Sequence, residues 1–159
     1  SPRSGPVAPL RGPYGVTWEK TLEHYLRLGA ARHKIVFGVP FYGYEWPTES
    51  AAVGARALGK GREITYAMLD ARVLPNIRIG ASSQAALHGL RRDPASGSPY
   101  YANQEPSGGW RQGWFEDERS LAAKFEFVKR QQLAGIAVFP VGYDGGAFDD
   151  LRRRSFRGK

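Results

Sequence analysis

The sequence predicts an α/β fold in which a small α+β segment is inserted between two parallel strands. Two short apolar runs, at residues 35–42 and 135–139, each follow closely after an amphipathic helix pattern. A helix followed at once by an unalternating apolar strand is half of a βαβ unit, so we expect the two strands to lie parallel in one sheet. Strand and turn signals between them predict a separate subdomain.

Composition indicates one globular domain that crosses no membrane. Of the 159 residues, 42% are hydrophobic and 13% aromatic, which is typical of a chain that buries a core. No apolar run approaches the roughly 20 residues that span a bilayer. Neither an initiator Met nor a signal sequence stands at the start, so we expect the chain to be a piece of a longer protein.

Charge and side-chain chemistry exclude several kinds of site. The net charge of +8 fits contact with polyanions or simple solubility, and nucleic-acid binding would rest on this charge alone. The basic residues lack the interleaved aromatic rings of a nucleic-acid platform, so we expect no nucleic-acid partner. The chain has no Cys, and His24, His33 and His88 show no metal-ligand spacing. We therefore predict no metal and no cofactor.

The first elements are an extended loop and an amphipathic helix. Prolines and glycines recur through residues 1–16 and exclude regular structure there. Thr17 is a suitable N-cap and Gly29 a suitable stop, so a helix is predicted between them. Apolar residues at spacings of three and four are predicted to face a sheet: Trp18, Leu22, Tyr25 and Leu26.

The first strand leads into the stretch around which a site is predicted. Residues 37–46 run from a buried strand into a group of aromatic side chains beside Glu45. Sugar C–H faces stack on aromatic rings and sugar hydroxyls need acceptors, so this combination indicates a carbohydrate-binding cleft. The alternative is a buried strand followed by an ordinary loop.

The residues between the two apolar strands predict a small α+β unit. Residues 47–61 are small and polar and indicate a loop. Residues 63–74 are predicted to be a helix with Ile64, Met68 and Leu69 inward. Three short segments separated by strong turn signals predict an antiparallel meander: residues 84–91, 98–102 and 110–115.

The second half of the chain repeats the order of helix and strand. Asp117 is predicted to cap a helix with one apolar and one charged face. The inward set is Leu121, Phe125 and Val128, and the outward set is Arg119, Lys124, Glu126, Lys129 and Arg130. The strand at residues 135–139 ends, like the first, in aromatic and acidic residues, and a last helix is predicted at residues 148–156.

Five blocks of sequence identify a family resemblance. They are residues 4–10, 38–43, 61–66, 109–120 with Lys124, and 135–144. In this order and with these gaps they resemble the C-terminal part of glycoside hydrolase family 18, especially its bacterial branch. The stretch W-F-E-D-x-x-S-x-x-x-K, at residues 114–124, is the most specific. The resemblance covers nearly the whole chain.

The resemblance implies the C-terminal portion of a (β/α)8 TIM barrel with a small α+β insertion domain after the seventh strand. Residues 35–42 would be the seventh strand and residues 135–139 the eighth. The barrel part would then comprise residues 1–45 and 114–159, and the insertion domain residues 46–113. Such a piece alone leaves strand edges unpaired, so the missing N-terminal half of the barrel or a partner chain is expected to cover it.

The implied chemistry is hydrolysis of β-1,4-linked N-acetylglucosamine polymers such as chitin or peptidoglycan. In this family's substrate-assisted mechanism the sugar's acetamido group attacks the anomeric carbon while a glutamic acid protonates the leaving oxygen. That acid lies in a D-x-x-D-x-D-x-E motif, which does not occur here. We therefore expect no catalytic residue in this chain, which would supply only the walls of a glycan-binding cleft.

Seven residues are predicted to bind the glycan: Tyr42, Tyr44, Trp46, Trp110, Phe139, Tyr143 and Asp144. Tyr42 matches the family pattern. Phe139 stands where the family has a Trp beneath the sugar whose bond is cleaved, and Tyr44 stands where it often has Arg. The alternative for Tyr42 is a buried tyrosine bonded to backbone, and for Asp144 a helix cap.

Three nearby residues are predicted to be structural. Trp114 is expected to pack in the core of the insertion, because Phe115 neighbours it. Glu116 and Asp117 precede a helix, so we expect them to cap it rather than act as acid and base.

Two functions remain open from the sequence. The parent protein is either a hydrolase of N-acetylglucosamine polymers or a non-catalytic glycan-binding or structural module. Phe139 in place of Trp and Tyr44 in place of Arg slightly favour the non-catalytic module. In both cases the expected partner is an N-acetylglucosamine-containing glycan. The expected location is extracytoplasmic, either secreted or in the cell wall, although the absence of Cys leaves the redox compartment open.

Overall fold

The computed structural model describes residues 2–67 and 80–156. The helices in these ranges are α1 (Trp18–Arg27), α2 (Ala81–His88), α3 (Glu118–Arg130) and α4 (Asp149–Phe156), with a short 3-10 turn at Arg32–Lys34. The strands are β1 (Val36–Pro40), β2 (Tyr42–Thr48), β3 (Arg62–Thr65), β4 (Arg91–Arg92), β5 (Pro99–Gln104), β6 (Trp110–Trp114) and β7 (Gly135–Phe139). None of the helices described is long and apolar enough to cross a membrane.

Strands β1 and β7 form a parallel pair, which confirms the predicted relation of the two apolar runs. On one face of this pair Phe37 and Val39 are buried against the helices, in a core shared with α1, α3 and α4. On the other face Val36 and Phe139 are 52% and 68% exposed. The pair is therefore covered by helices on one side and open on the other.

The remaining strands form a five-stranded antiparallel sheet with the order β3-β2-β6-β5-β4. In the sequence this sheet lies between β1 and β7. Strand β2 begins two residues after β1 ends, so one continuous segment supplies a strand to each sheet. Phe41, the residue between them, is buried against Phe148, with ring centroids 5.2 Å apart.

Helix α1 confirms most of its sequence prediction. The Thr17 hydroxyl accepts the backbone N–H of Lys20 at 3.1 Å and caps the N-terminus. Gly29, with φ of 87°, follows the last turn. Trp18 and Leu22 are buried, but the prediction that Tyr25 faces the core is wrong, because its side chain is 51% exposed.

Helix α3 begins with the predicted cap. Asp117 accepts the backbone N–H of Ser120 at 2.9 Å, and the Ser120 hydroxyl lies 3.0 Å from the Asp117 backbone N, so the two residues form a capping box. Leu121, Phe125 and Val128 are buried, as predicted.

The prediction that Lys124 stays in solvent is wrong. Its side chain is 1% exposed and forms an ion pair with Glu116, which is as deeply buried. Lys124 lies three residues after Leu121 and therefore falls on the buried face of the helix. Its ammonium also lies 5.7 Å from the centre of the Trp18 ring, a distance at which a cation and an aromatic ring attract.

The antiparallel sheet corrects two sequence predictions. Residues 62–65 form strand β3, so the helix predicted at 63–74 is wrong at its start; its remainder, from Met68 onward, lies outside the described residues. Residues 81–88 form helix α2, so the strand predicted at 84–91 is wrong over most of its length. The Ala-rich composition of that segment favours a helix. Strands β5 and β6 confirm the other two members of the meander.

Candidate functional site

Three aromatic side chains line one face of β2. Tyr42, Tyr44 and Trp46 alternate with residues that point the other way, and each is partly exposed. The ring centroids of Tyr42 and Tyr44 are 5.9 Å apart, and those of Tyr44 and Trp46 are 5.6 Å apart. We call these three residues the aromatic stripe. A row of partly exposed rings is the chemistry that stacks on sugar C–H faces.

The carboxylate next to the stripe is Glu63, not Glu45. Glu63 of β3 lies directly opposite Tyr44 and therefore shares its face of the sheet. Burial raises the pKa of Tyr42, and the charges of Tyr44 and Glu63 raise it further. Sequence reasoning missed Glu63 because residues 63–74 were predicted to be a helix. The four-residue segment R-E-I-T carries no local strand signal of its own, and its pairing with β2 is what identifies it.

Glu45 lies on the reverse side of the sheet and is only 2% exposed. Its Oε1 accepts the Nε–H of Arg62 at 2.9 Å and lies 3.6 Å from Arg111, and its Oε2 accepts the Tyr101 hydroxyl at 2.5 Å. Burial, and then the Glu45 charge and hydrogen bond, raise the pKa of Tyr101. The expectation that Glu45 accepts a sugar hydroxyl is therefore wrong.

The two tryptophans of β6 differ in role. Trp114 is buried and stacks on Tyr100 with ring centroids 4.5 Å apart, as predicted for a core residue. Its indole N–H donates to Gln112 Oε1 at 3.0 Å. Trp110 is partly exposed and packs, together with Trp46, against the buried cluster of Tyr100, Ala102 and Trp114. Trp110 thus shares a face with the aromatic stripe.

The end of β7 meets the start of the stripe. The backbone N–H of Phe41 donates to the carbonyl of Phe139 at 2.8 Å, which holds the Phe139 backbone beside the residue that precedes Tyr42. Phe139 is largely exposed, whereas Tyr143 packs against the helix-covered core. The backbone at the end of β7 is therefore next to the start of the aromatic stripe.

Asp144 is a structural acceptor in this geometry. Its carboxylate is buried and accepts the backbone N–H of Phe148 at 3.1 Å, just before α4. This contact fixes the turn that leads into α4, although its donor is the residue before the helix rather than an N–H of the first helical turn.

Glu116 and Asp117 also have structural partners. Glu116 is paired with Lys124 and accepts the Ser120 hydroxyl at 2.6 Å. Asp117 caps α3 and lies 2.5 Å from the guanidinium of Arg92. Asp117 thus caps the helix as predicted, whereas the prediction that Glu116 caps it is wrong, because Glu116 pairs with Lys124 instead. Across residues 2–67 and 80–156, no three His, Asp or Glu side chains are grouped so that they could hold a metal ion.

Comparisons with known proteins give one family. Residues 1–144 match the model of "Glycosyl hydrolases family 18". The chain is 27% identical over 138 residues to the di-N-acetylchitobiase of Rattus norvegicus, covering 84% of this chain and 37% of that protein. It is 30% identical over 137 residues to a putative sporulation-specific glycosylase of Bacillus subtilis, covering 85% of this chain and 27% of that protein.

Solved structures have the same fold. The structure of a GH18 chitinase mutant from Cycas revoluta, in complex with (GlcNAc)4, superposes with a TM-score of 0.76 at 20% identity. The superposition covers 98% of this chain and 43% of the chitinase. This chain thus spans less than half the length of these relatives.

Proposed function

Because the chain belongs to glycosyl hydrolases family 18, we propose that it is the C-terminal part of a glycosidase that hydrolyses β-1,4-linked N-acetylglucosamine polymers, chitin or peptidoglycan. In this proposal the chain supplies glycan-binding walls and no catalytic acid. The observation that carries it is the aromatic stripe, which starts where β1 ends and lies beside the exposed Phe139 at the end of β7. Ligands of barrel enzymes bind at the C-terminal ends of the strands.

The parallel pair supports a barrel arrangement. We propose that β1 and β7 are the seventh and eighth strands of a (β/α)8 barrel and that the antiparallel sheet belongs to an insertion domain between them. The proposed division remains residues 1–45 and 114–159 for the barrel part and 46–113 for the insertion. Strand β2 begins at Tyr42, so the sheet of the insertion reaches four residues into the first barrel range.

The open face of the parallel pair supports a covering partner. Val36 and Phe139 on this face are apolar and exposed, and large apolar surface outside a core marks an interface. We propose that the remaining strands of the barrel, in the same polypeptide or in a partner chain, cover it.

The proposed binding residues act in two ways. Tyr42, Tyr44, Trp46, Trp110 and Phe139 offer partly or largely exposed rings for stacking on the glycan. Tyr143 and Asp144 are more buried, and we propose that they hold the loop after β7 in place beneath the sugar.

Absence of the D-x-x-D-x-D-x-E motif from the sequence supports binding without hydrolysis by the chain itself. A titration with (GlcNAc)4, followed by tryptophan fluorescence, tests the binding. We expect a saturable change in fluorescence on titration, and we expect Trp46→Ala to abolish it. The control Trp114→Phe replaces a buried core residue and should retain the change. No change with any N-acetylglucosamine oligomer would refute the proposed function.

A cleavage assay tests the second half of the proposal. The purified chain is expected to release no product from (GlcNAc)4 or from peptidoglycan, and turnover above a buffer blank would show that an acid is present after all. The longer protein that contains the chain is expected to hydrolyse these substrates.

The alternative is a non-catalytic glycan-binding module derived from the same barrel, and Phe139 and Tyr44, in place of the family's Trp and Arg, favour it. Binding without hydrolysis by the longer protein would identify that alternative. An extracytoplasmic location is part of both proposals, because polymeric chitin and peptidoglycan lie outside the cytoplasm.

A further inference from the structure

We propose that Glu63 makes the aromatic stripe selective for a glycan that carries a free 2-amino group, so that a glucosaminyl ammonium binds beside Tyr44 more tightly than its N-acetylated counterpart. This inference rests on the proposed function, since it requires that the stripe bind a β-1,4-linked glycan. It goes beyond that function by naming the charge of the preferred sugar and the residue that selects it.

The first support is the separation of charges across the sheet. Within the described strands β2, β3 and β6 the charged residues are Glu45, Arg62, Glu63 and Arg111. Arg62 lies opposite Glu45 in the register, and Arg111 lies opposite Pro47, so all three charged residues other than Glu63 point away from the stripe. The stripe face of these three strands therefore carries one charge, which is negative.

The second support is that the positive charges behind the sheet are already paired. Arg62 and Arg111 both contact Glu45, and Arg111 Nε donates to Glu105 at 2.7 Å. Among the ion pairs of the described residues, Glu63 takes part in none. Its carboxylate is thus available to a cation that approaches from the glycan side.

The third support is the set of rings around the carboxylate. Glu63 is directly opposite Tyr44 and close enough to Tyr42 for its charge to affect that phenol. Tyr44 and Trp46 lie next to each other with an angle of 36° between their planes. An ammonium beside a carboxylate and over aromatic rings gains from an ion pair and from cation–π attraction, whereas an acetamido group gains from neither.

The ammonium could come from deacetylated chitin or from deacetylated peptidoglycan, and the same chemistry would recognise both. The experiment therefore uses three ligands: fully acetylated (GlcNAc)4, a chitotetraose with glucosamine in place of one or two units, and an N-deacetylated glycan strand of peptidoglycan. Affinity for the chain is measured by tryptophan fluorescence at low salt and at high salt.

We expect at least one deacetylated ligand to bind about fivefold more tightly than (GlcNAc)4, because a partly exposed ion pair contributes only a small free energy of binding. The variant Glu63→Gln should remove this preference while it retains affinity for (GlcNAc)4, and high salt should weaken the preference in the same way. The control Glu23→Gln removes an exposed carboxylate from α1 and should leave the preference unchanged. Circular dichroism checks that both variants fold.

The possible binding results distinguish a failure of this inference from a failure of the proposed function. Equal affinity for acetylated and deacetylated ligands, or a preference that survives in Glu63→Gln, would overturn this inference and leave the proposed function intact. Failure of every ligand to bind the wild-type chain would overturn both. Which deacetylated ligand binds identifies the source of the amino sugar.

Discussion

Lys124 is buried in the core, although a lysine side chain is usually exposed to solvent. A buried ammonium is unfavourable unless a counter-charge accompanies it, and Glu116, which lies eight positions earlier and just before α3 begins, provides that charge. The two residues depend on each other. Removal of either one leaves a charge in the core without its partner.

We expect Lys124→Ala to lower the free energy of unfolding by about 3–5 kcal/mol, because it leaves the Glu116 carboxylate buried and unpaired. Urea denaturation measures this. The control Lys129→Ala breaks an exposed ion pair with Glu126 and should cost about 0–1 kcal/mol. Equal effects of the two substitutions would show that the buried pair contributes nothing special.

Asp93 gives a second prediction at this scale. Burial alone would raise the pKa of Asp93, but hydrogen bonds from Ser96, Tyr14 and the backbone of Ala95 lower it overall. The Tyr14 hydroxyl donates at 2.7 Å and joins the N-terminal loop to the turn before β5. A folded-state pKa below the unfolded value of about 3.9 contributes stability that is present above that pH and lost as the pH falls through the folded-state pKa.

We therefore expect the free energy of unfolding to decrease as the pH falls below about 4, and Asp93→Asn to reduce the slope of that decrease. Urea denaturation at a series of acidic pH values provides the measurement. Asp150→Asn, at an exposed pair on α4, is the matched control and should leave the slope nearly unchanged. A slope that Asp93→Asn does not alter contradicts this role of Asp93.

Gly43 sets the packing of β2 at the scale of the element. A Cβ at this position would lie 2.2 Å from the carbonyl oxygen of Trp114 and 3.0 Å from Phe115, so β2 could not keep its distance from β6. Gly38 in β1 is a natural comparison, because a Cβ there would meet no atom within 4 Å.

We expect Gly43→Ala to destabilise the fold by about 3 kcal/mol or more, since backbone must move to relieve the clash. Gly38→Ala should change stability by less than about 1 kcal/mol. Thermal unfolding followed by circular dichroism compares the two. Similar melting temperatures for both variants would mean that the sheet adjusts without cost.

The same elements show what sequence can predict and what it cannot. Helices α1 and α3 and the parallel pair were predictable because caps and apolar periodicity are local signals. Strand β3 of the antiparallel sheet was harder to predict. Its sequence, R-E-I-T, is too short to establish a period, and only its pairing with β2 makes it a strand.

The candidate site divides in the same way. The aromatic residues of the stripe were predictable as a group, but the carboxylate beside them was not. Choosing Glu63 over Glu45 requires knowing which face of β2 is covered, and that depends on long-range pairing. Trp114 was predictable as a core residue from its neighbour Phe115. Helical spacing places Lys124 on the buried face of α3, but its charge argued for solvent, and only the ion pair with Glu116 explains why it is buried.

At the scale of the whole molecule, Tyr66 joins the cluster of buried residues around the parallel pair to the cluster between the antiparallel sheet and α2. Its ring centroid lies 4.4 Å from that of Phe148, in the core around the parallel pair, and 6.2 Å from that of Phe115, in the core of the antiparallel sheet. Tyr66 packs against both cores.

We expect Tyr66→Ala to separate the unfolding of the core around the parallel pair from that of the antiparallel sheet. Two single-tryptophan proteins report the transitions, with the other tryptophans replaced by Phe: one keeps Trp18, in the core around the parallel pair, and the other keeps Trp114, in β6 of the antiparallel sheet. While Tyr66 is present, their urea transitions should coincide. In Tyr66→Ala the transitions should move apart. Tyr25→Ala, at an exposed ring, should leave them coincident, and coincident transitions in Tyr66→Ala would contradict a joining role.

Phe41, the single residue between β1 and β2, determines which face of the antiparallel sheet carries the stripe as well as where the stripe begins. Because side chains alternate along a strand, one amino acid inserted or deleted at Phe41 would turn Tyr42, Tyr44 and Trp46 toward the arginines behind the sheet and bring Glu45 forward. Insertions of two residues would keep the faces but shift the stripe along the sheet. Relatives that use this surface should therefore tolerate length changes elsewhere in the loops and almost none at this junction.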